Sequence, residues 1–120
     1  MNKQFWQRCI ETDVNFFQKL KNKSVLIYTL IESAALRVKG ILELSCPEVT
    51  IYLSHDHGGN YRLRQWVRKT DIVVVVTASA KHAATDFIEV HRPSHLAPIV
   101  LVNSKGSASM LRAIREYLAR

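Results

Sequence analysis

Residues 70–82 read T-D-I-V-V-V-V-T-A-S-A-K-H, and this stretch decides the fold. The run Ile72–Val76 is too apolar for a strand with one solvated face. Short β-branched runs of this kind are typical of parallel strands that are covered on both faces. Polar residues from Thr77 to His82 follow at once, and ligands of open α/β sheets bind where the strands end. The stretch therefore predicts a buried strand and the edge of the sheet at which a site would lie.

The rest of the chain alternates predicted strands and helices around this strand. The apolar patterns predict strands over 25–30, 49–53 and 98–102, and helices over 61–69 and 82–91, with Asn60 capping the former. Two more helices are expected, one capped by Ser33 with Ala34, Val38 and Ile41 facing the core, and one after residues 103–107. Crossovers of this length require parallel strands with right-handed connections. The pattern predicts a single Rossmann-like or flavodoxin-like three-layer α/β domain whose four-stranded parallel sheet has the order 2-1-3-4.

An amphipathic N-terminal helix over residues 1–22 is predicted to precede the α/β domain of residues 23–120. The helix has more aromatic surface than one helix on a four-stranded sheet easily buries. We therefore expect it to form a homodimer interface or an extra core element. The aromatic residues concerned are Phe5, Trp6, Phe16 and Phe17.

Composition limits the classes of partner. The 120 residues include 17 Lys and Arg against 10 Asp and Glu, a net charge of +7, which favours anionic partners. No apolar run approaches the roughly 20 residues that span a bilayer, and the amino terminus lacks the apolar segment of a secretory signal. Cys9 and Cys46 are too few for a disulfide framework and are expected to be buried free thiols. These features predict a cytoplasmic protein without a membrane partner or a cofactor.

The predicted site lies at the carboxyl ends of the first and third strands. Backbone N–H groups and short hydroxyl side chains at helix starts bind anions, and N-S-K-G-S over 103–107 enters the last helix in this way. Neither G-x-G-x-x-G nor G-x-x-x-x-G-K-[ST] occurs, which excludes dinucleotide-binding and P-loop motifs. We expect a non-enzymatic module that binds a nucleotide or other phosphate-bearing ligand through Ser33, His57, Ser79, Lys81, His82, Ser104 and Ser107.

A nucleic-acid-binding surface is the main alternative. The helix over 61–69 interleaves Tyr61 and Trp66 with cations, and this combination provides both phosphate contacts and base stacking. Trp66 shares a face with Leu63 and Val67 and is expected in the core, in which case the cations would form an ordinary solvated face. The residues that would contact nucleic acid are Arg62, Arg64, Arg68 and, on the last helix, Arg112.

A metal-dependent hydrolase is the third hypothesis. His55 and His57 are two residues apart and could share one ion with His82, a ligand set that suits zinc. The simpler interpretation of H-D-H-G-G is a polar turn in which glycines supply positive φ. No G-x-S-x-G nucleophile motif occurs, and the sequence favours a binding protein over an enzyme.

Residues about 24–115 resemble the bacterial family of unknown function numbered 2325, a small Rossmann-like domain. The resemblance rests on Asp71, Thr77 and His82, on the serine-rich turn Asn103–Ser109, and on H-G-G over 57–59. The chain departs from that family at Lys81, where Ser or Asn is usual, and lacks its glycine-rich turn after the first strand. The resemblance implies the fold and the location of a site, but no activity.

Overall fold

The computed structural model describes residues 16–55, 59–79 and 82–119 of the chain. Four strands form one sheet: β1 (Ser24–Tyr28), β2 (Thr50–Ser54), β3 (Ile72–Val76) and β4 (Val100–Val102). Residues 16–20 belong to a helix, α1. The other helices are α2 (Glu32–Ser45), α3 (Tyr61–Lys69), α4 (His82–His91) and α5 (Ser107–Leu118), and a 3-10 turn covers Thr77–Ser79.

All strand pairs are parallel, and the strand order is β2-β1-β3-β4. Val25 of β1 is opposite Ile51 of β2 on one side and Ile72 of β3 on the other. The predicted fold class and the predicted order are both confirmed. The order reverses between β1 and β3, which places the topological switch point at the ends of these two strands.

Two hydrophobic clusters cover the two faces of the sheet. Ile72, Val74 and Val76 belong to the cluster that contains the apolar residues of α1, α2 and α5, whereas Val73 and Val75 belong to the cluster of α3 and α4. All five residues of β3 are buried. Because successive side chains of a strand point to opposite faces, a strand buried on both faces has no position left for a polar residue.

Helix and strand boundaries agree with the predictions for β3, α3 and α4, whereas β1 and β2 differ from the predicted 25–30 and 49–53 by one or two residues at each end, and α2 and β4 begin elsewhere. The predicted Ser33 cap is wrong, because α2 already begins at Glu32 with Ile31 in the N-cap position. There the Thr29 hydroxyl accepts a hydrogen bond from the Ile31 N–H at 3.1 Å, which turns the chain into the helix earlier. Ile41 was expected on the buried face of α2 but is 41% exposed. β4 begins at Val100 rather than at Pro98, which has no N–H for a sheet hydrogen bond.

The described end of the N-terminal helix is part of the core. Phe16 and Leu20 are buried in the same cluster as α2 and α5, and Asn22, with φ of 62°, lies just beyond the helix in the left-handed conformation. Cys46 is a buried free thiol, as expected. The predictions for residues 1–15, including those for Phe5, Trp6 and Cys9, concern residues outside the described ranges. Among the helices in the described part, none has the length and apolar content to cross a membrane.

Asp71 connects the amino ends of β1 and β3. Its Oδ2 accepts hydrogen bonds from the Ser24 N–H at 2.8 Å and from the Ser24 hydroxyl at 3.1 Å, and the Asp71 N–H donates to the Ser24 Oγ at 3.0 Å. These bonds hold the two central strands in register at the end of the sheet opposite the carboxyl edge.

Replacing Asp71 by alanine should therefore lower the free energy of unfolding by about 1 kcal/mol, since it removes two hydrogen bonds to a carboxylate at an exposed position. Urea denaturation of both proteins measures the difference. An unchanged free energy of unfolding would contradict this structural role of Asp71.

Candidate functional site

The predicted site residues that the structure describes all lie at the carboxyl edge of the sheet. Ser33 is in the first turn of α2, His82 is the first residue of α4, and Ser104 is in the loop after β4, and all three are exposed. Ser107 is the first residue of α5 and is half-buried. Ser79 ends the 3-10 turn after β3. His57 and Lys81 lie outside the described residues.

An arginine that the sequence reasoning missed joins two of the predicted helix starts. The Arg37 Nη1 donates to the Ser107 hydroxyl at 3.4 Å, and Arg37 lies one turn after Ser33 in α2. Residues four apart lie on the same face of a helix. The structure thus places a guanidinium between the starts of α2 and α5. The only feature of the sequence that could have pointed to Arg37 is its position four residues after Ser33.

Thr77 holds the other side of this edge together. Its hydroxyl is 3.1 Å from the Val102 carbonyl oxygen and 3.2 Å from the Asn103 Oδ1. The 3-10 turn after β3 is therefore fastened to the loop after β4. Thr77 therefore has a structural role at this edge, because its hydroxyl already interacts with protein groups.

A cleft of about 540 Å³ opens at the carboxyl end of β2, next to the start of α3. We call it the α3 cleft. It is lined by Leu53, Ser54, His55, Asn60, Tyr61, Arg62 and Trp66. The Asn60 Oδ1 accepts a hydrogen bond from the Leu63 N–H at 2.8 Å, which confirms the predicted N-cap and determines where α3 begins.

The wall of the α3 cleft combines two aromatic rings, Tyr61 and Trp66, with one guanidinium group, that of Arg62. The Trp66 ring stacks on Tyr52 with centroids 5.0 Å apart, and the Arg62 guanidinium carbon is 5.9 Å from the Trp66 ring centroid. Trp66 is half-buried, so its expected place in the core is only partly correct. Tyr52 was missed as a partner because a strand residue and a helix residue meet only in the folded chain.

The Tyr61 ring projects from the start of α3 and is 70% exposed. The Arg64 guanidinium carbon is 5.6 Å from the ring centroid of Tyr61. Arg64 was expected to point outward, but it is half-buried, and its Nε is buried without a hydrogen-bond partner in the described part of the chain. An unsatisfied guanidinium N–H is costly, so this group would gain from an acceptor.

Position 59 is a glycine because there is no room for a side chain there, and not because of its backbone conformation. A Cβ atom at Gly59 would overlap the ring of Phe87 on α4. Among the described glycines none has positive φ, so the expectation that Gly59 supplies such a conformation is wrong. The close approach of Gly59 to Phe87 sets the path of the chain into α3 and hence one side of the cleft.

The four arginines of the nucleic-acid hypothesis do not share one surface. Arg62, Arg64 and Arg68 lie on α3, whereas Arg112 lies on α5, which packs against the opposite face of the sheet. Arg112 lines a groove with apolar residues of α1, α2 and α5. A polymer that contacts all four arginines would have to pass around an edge of the sheet.

A metal centre has no complete ligand set in the described ranges. His55 is exposed at the α3 cleft and His82 is exposed at the start of α4. No group of three His, Cys, Asp or Glu side chains that could hold an ion occurs within residues 16–55, 59–79 and 82–119. The third histidine of the hypothesis, His57, lies outside these ranges.

Comparison with known families corrects the resemblance inferred above. The matching family is described as DpdD-like, and the match covers residues 4–113, not the family numbered 2325. Two of the residues that carried the inferred resemblance have structural roles: Asp71 joins β1 to β3, and Thr77 fastens the 3-10 turn to the end of β4. Hydrogen bonds that join neighbouring strands in this way can occur in parallel α/β domains of different families, so they do not identify one family. Comparisons with curated proteins and with solved structures gave no match. Since the match spans all but the first three and last seven residues, the chain belongs to the DpdD-like family.

Proposed function

We propose that this chain is a non-enzymatic binding module that holds a nucleotide, or another phosphate-bearing ligand with an aromatic group, at the carboxyl edge of its sheet. The α3 cleft would be the pocket. The observation that carries the proposal is the combination of aromatic and cationic side chains around one cleft at the end of β2. Its volume of about 540 Å³ is within the usual range for small-molecule sites.

The aromatic lining supports recognition of a nucleobase. Tyr61 is a large exposed ring at the mouth of the cleft, and Trp66 is held in place by its stack on Tyr52. Base stacking on aromatic side chains contributes about 1–3 kcal/mol per base. Arginine planes also stack on bases, and Arg62 already lies over the Trp66 ring.

The charge distribution supports recognition of a phosphate. Helix α3 has no acidic residue among its nine residues, Y-R-L-R-Q-W-V-R-K, and its amino end faces the cleft through Asn60 and Tyr61. Arg62 and His55 line the same cleft. Charge-assisted hydrogen bonds to phosphate are about twice as strong as neutral ones.

Titration calorimetry with nucleoside 5′-monophosphates, and separately with inorganic phosphate, tests the proposal. We expect a nucleoside monophosphate to bind more tightly than phosphate alone, and Arg62→Gln to weaken that binding about tenfold through loss of one charge-assisted contact. The matched control is Arg68→Gln, which removes the same charge from the exposed last turn of the same helix. It should change the affinity less than twofold. Absence of binding at millimolar nucleotide, or equal effects of the two variants, would refute the proposal.

Single-stranded nucleic acid is the second candidate ligand. Arg68 and Lys69 are exposed at the carboxyl end of α3 and extend its cationic surface beyond the cleft. A polymer long enough to follow the helix would contact both ends, so Arg62→Gln and Arg68→Gln would weaken binding of an oligonucleotide alike. Each would also reduce the dependence of binding on salt concentration by about one unit of the logarithmic slope. A mononucleotide site predicts neither effect for Arg68→Gln.

A further inference from the structure

One face of the Trp66 indole is covered by a neighbouring ring, and the other face borders the α3 cleft. The Tyr52 ring stacks on the indole with centroids 5.0 Å apart and planes 22° apart, and Tyr52 does not line the cleft. The Arg62 guanidinium also lies over the indole, and Arg62 does line the cleft. Since a flat ring has two faces and Tyr52 occupies one, Arg62 covers the face that borders the cleft.

The guanidinium of Arg62 is a loose cover on this face. Its carbon atom is 5.9 Å from the indole centroid, which is further than the roughly 3.5–4 Å of direct contact between stacked atoms. The Arg62 side chain is exposed, and within the described part of the chain no carboxylate pairs with it. An exposed side chain of this length changes rotamer easily, whereas the stack on Tyr52 holds the indole in place.

We propose that a neutral purine base inserts between the Trp66 indole and the Arg62 guanidinium, so that the α3 cleft takes a purine nucleotide in particular. The purine site rests on the nucleotide site proposed above, and it adds which base is preferred and where the base lies. Two stacking contacts of about 3.5 Å each separate the outer groups by about 7 Å, so the guanidinium carbon moves outward by only about 1 Å. The resulting stack contains Tyr52, Trp66, the base and Arg62 in this order.

Trp66 suits this role better than Tyr61, the other aromatic ring in the cleft wall. Tyr61 is 70% exposed, so a base stacked on it would stay largely in water. The indole is half-buried and already held by Tyr52, and a ring that is fixed before binding loses less conformational freedom when the base arrives. The more buried ring is therefore the platform for the base.

The two groups on either side of the base determine which base fits between them. Stacking strength grows with the area of ring that is covered, and a purine has two fused rings where a pyrimidine has one. A guanidinium attracts the electron-rich face of a neutral base and repels a base that carries a positive charge. The planar guanidinium stacks through its face and donates at its edge, so Arg62 keeps N–H groups for the phosphate of the same nucleotide.

The fluorescence of Trp66 tests the position of the base. The chain has two tryptophans, and Trp6→Phe in the full chain leaves Trp66 as the only indole. We expect GMP and AMP to quench the Trp66 emission, because a base in contact with the ring quenches the excited indole, and we expect ribose 5-phosphate to leave it unchanged.

Calorimetry of ring variants tests the same position independently of fluorescence. Trp66→Leu should weaken GMP binding about tenfold, and Trp66→Phe, which keeps an aromatic face, should fall between Trp66→Leu and the wild type. Tyr61→Leu is the matched control on the same helix and should weaken binding less than threefold. Equal losses for Trp66→Leu and Tyr61→Leu, with circular dichroism spectra like that of the wild type, would overturn the proposal.

Base selectivity provides a further test. We expect GMP and AMP to bind about fivefold more tightly than CMP and UMP. The base of 7-methyl-GMP is positively charged in weakly acid solution, so this nucleotide should bind less tightly than GMP, and Arg62→Gln should remove the difference. If nucleotides bind but leave the Trp66 emission unchanged, or if pyrimidine nucleotides bind as tightly as purine nucleotides, the purine stack is wrong and the nucleotide site stands. If no nucleotide binds, both are wrong.

Discussion

Replacing Arg92 by methionine is expected to lower the free energy of unfolding by about 3 kcal/mol, the largest effect among the variants considered. The Arg92 guanidinium lies next to the carboxyl end of α3. It donates to the carbonyl oxygens of Thr70 at 2.7 Å, Val67 at 2.9 Å, Ala97 at 3.0 Å and Asp71 at 3.2 Å. One side chain thus ties together α3, the start of β3 and the loop before β4.

The physical reason is that methionine keeps much of the packing but removes every donor. Val67 and Thr70 are buried, and carbonyl groups left without partners cost about 1–3 kcal/mol each where water cannot reach them. The Asp71 and Ala97 carbonyls are better placed to form hydrogen bonds with water in the variant. The expected loss in the free energy of unfolding is therefore far below the sum for four bonds. Burial lowers the pKa of the Arg92 guanidinium, whereas Tyr117 and Asp71 raise it. Arginine stays charged in proteins at all ordinary pH values, so the bonds persist.

Urea denaturation measures the difference, with Arg68→Met as the matched control. Arg68 is exposed at the same end of α3, and its replacement should change the stability by less than about 0.5 kcal/mol. Arg92→Lys should fall between the wild type and Arg92→Met, because one ammonium group cannot reach four carbonyls in different directions. A loss below 1 kcal/mol for Arg92→Met would show that these carbonyls do not depend on the guanidinium.

Replacing Gly59 by alanine is expected to lower the free energy of unfolding by about 2 kcal/mol. The added methyl group would overlap the Phe87 ring. Phe87 cannot easily move, because it is half-buried in the cluster of α3 and α4 and its ring lies 4.2 Å from His91, centroid to centroid. Forcing an extra methyl group into packed structure costs about 1–3 kcal/mol.

The same substitution should also alter the α3 cleft, since Gly59 directly precedes the Asn60 cap. We expect weaker nucleotide binding in Gly59→Ala together with the lower stability. Gly106→Ala is the control: a Cβ atom there meets nothing within 4 Å, and φ of −77° is open to alanine. Its cost should stay near that of an altered N-cap, below about 1 kcal/mol. Equal losses in both variants would mean that the contact with Phe87 is not the cause.

Much of the fold could be predicted because its determinants are local in the chain. The run Ile72–Val76 and the helical spacing in Tyr61–Lys69 and His82–His91 determine element type and length without reference to the rest of the chain. Where a long-range or turn contact intervened, the prediction failed: the Thr29 hydroxyl started α2 ahead of Ser33. The glycine at position 59 was also explained wrongly, because its constraint comes from Phe87 on another helix.

The candidate site could be predicted only as an edge of the sheet. Ser33, His82, Ser104 and Ser107 were expected at the carboxyl ends of parallel strands, and the topology places them there, but none of the four lines the α3 cleft. The cleft itself depends on contacts between elements: Tyr52 against Trp66, Arg62 over the indole, and Arg64 beside Tyr61. Periodicity shows which face of an element is apolar, but not which side chain of another element meets it.

By itself, the sequence determined the element order and the parallel sheet, because hydrophobic periodicity and crossover length are properties of neighbouring residues. Only the tertiary structure decided which polar groups hold the fold together and which side chains form a cleft. Arg92 contacts carbonyls 21 to 25 residues before it, and Asp71 contacts Ser24 across 47 residues. Such contacts exist only once the strands have been ordered, since sheet formation brings distant parts of the chain within hydrogen-bonding distance.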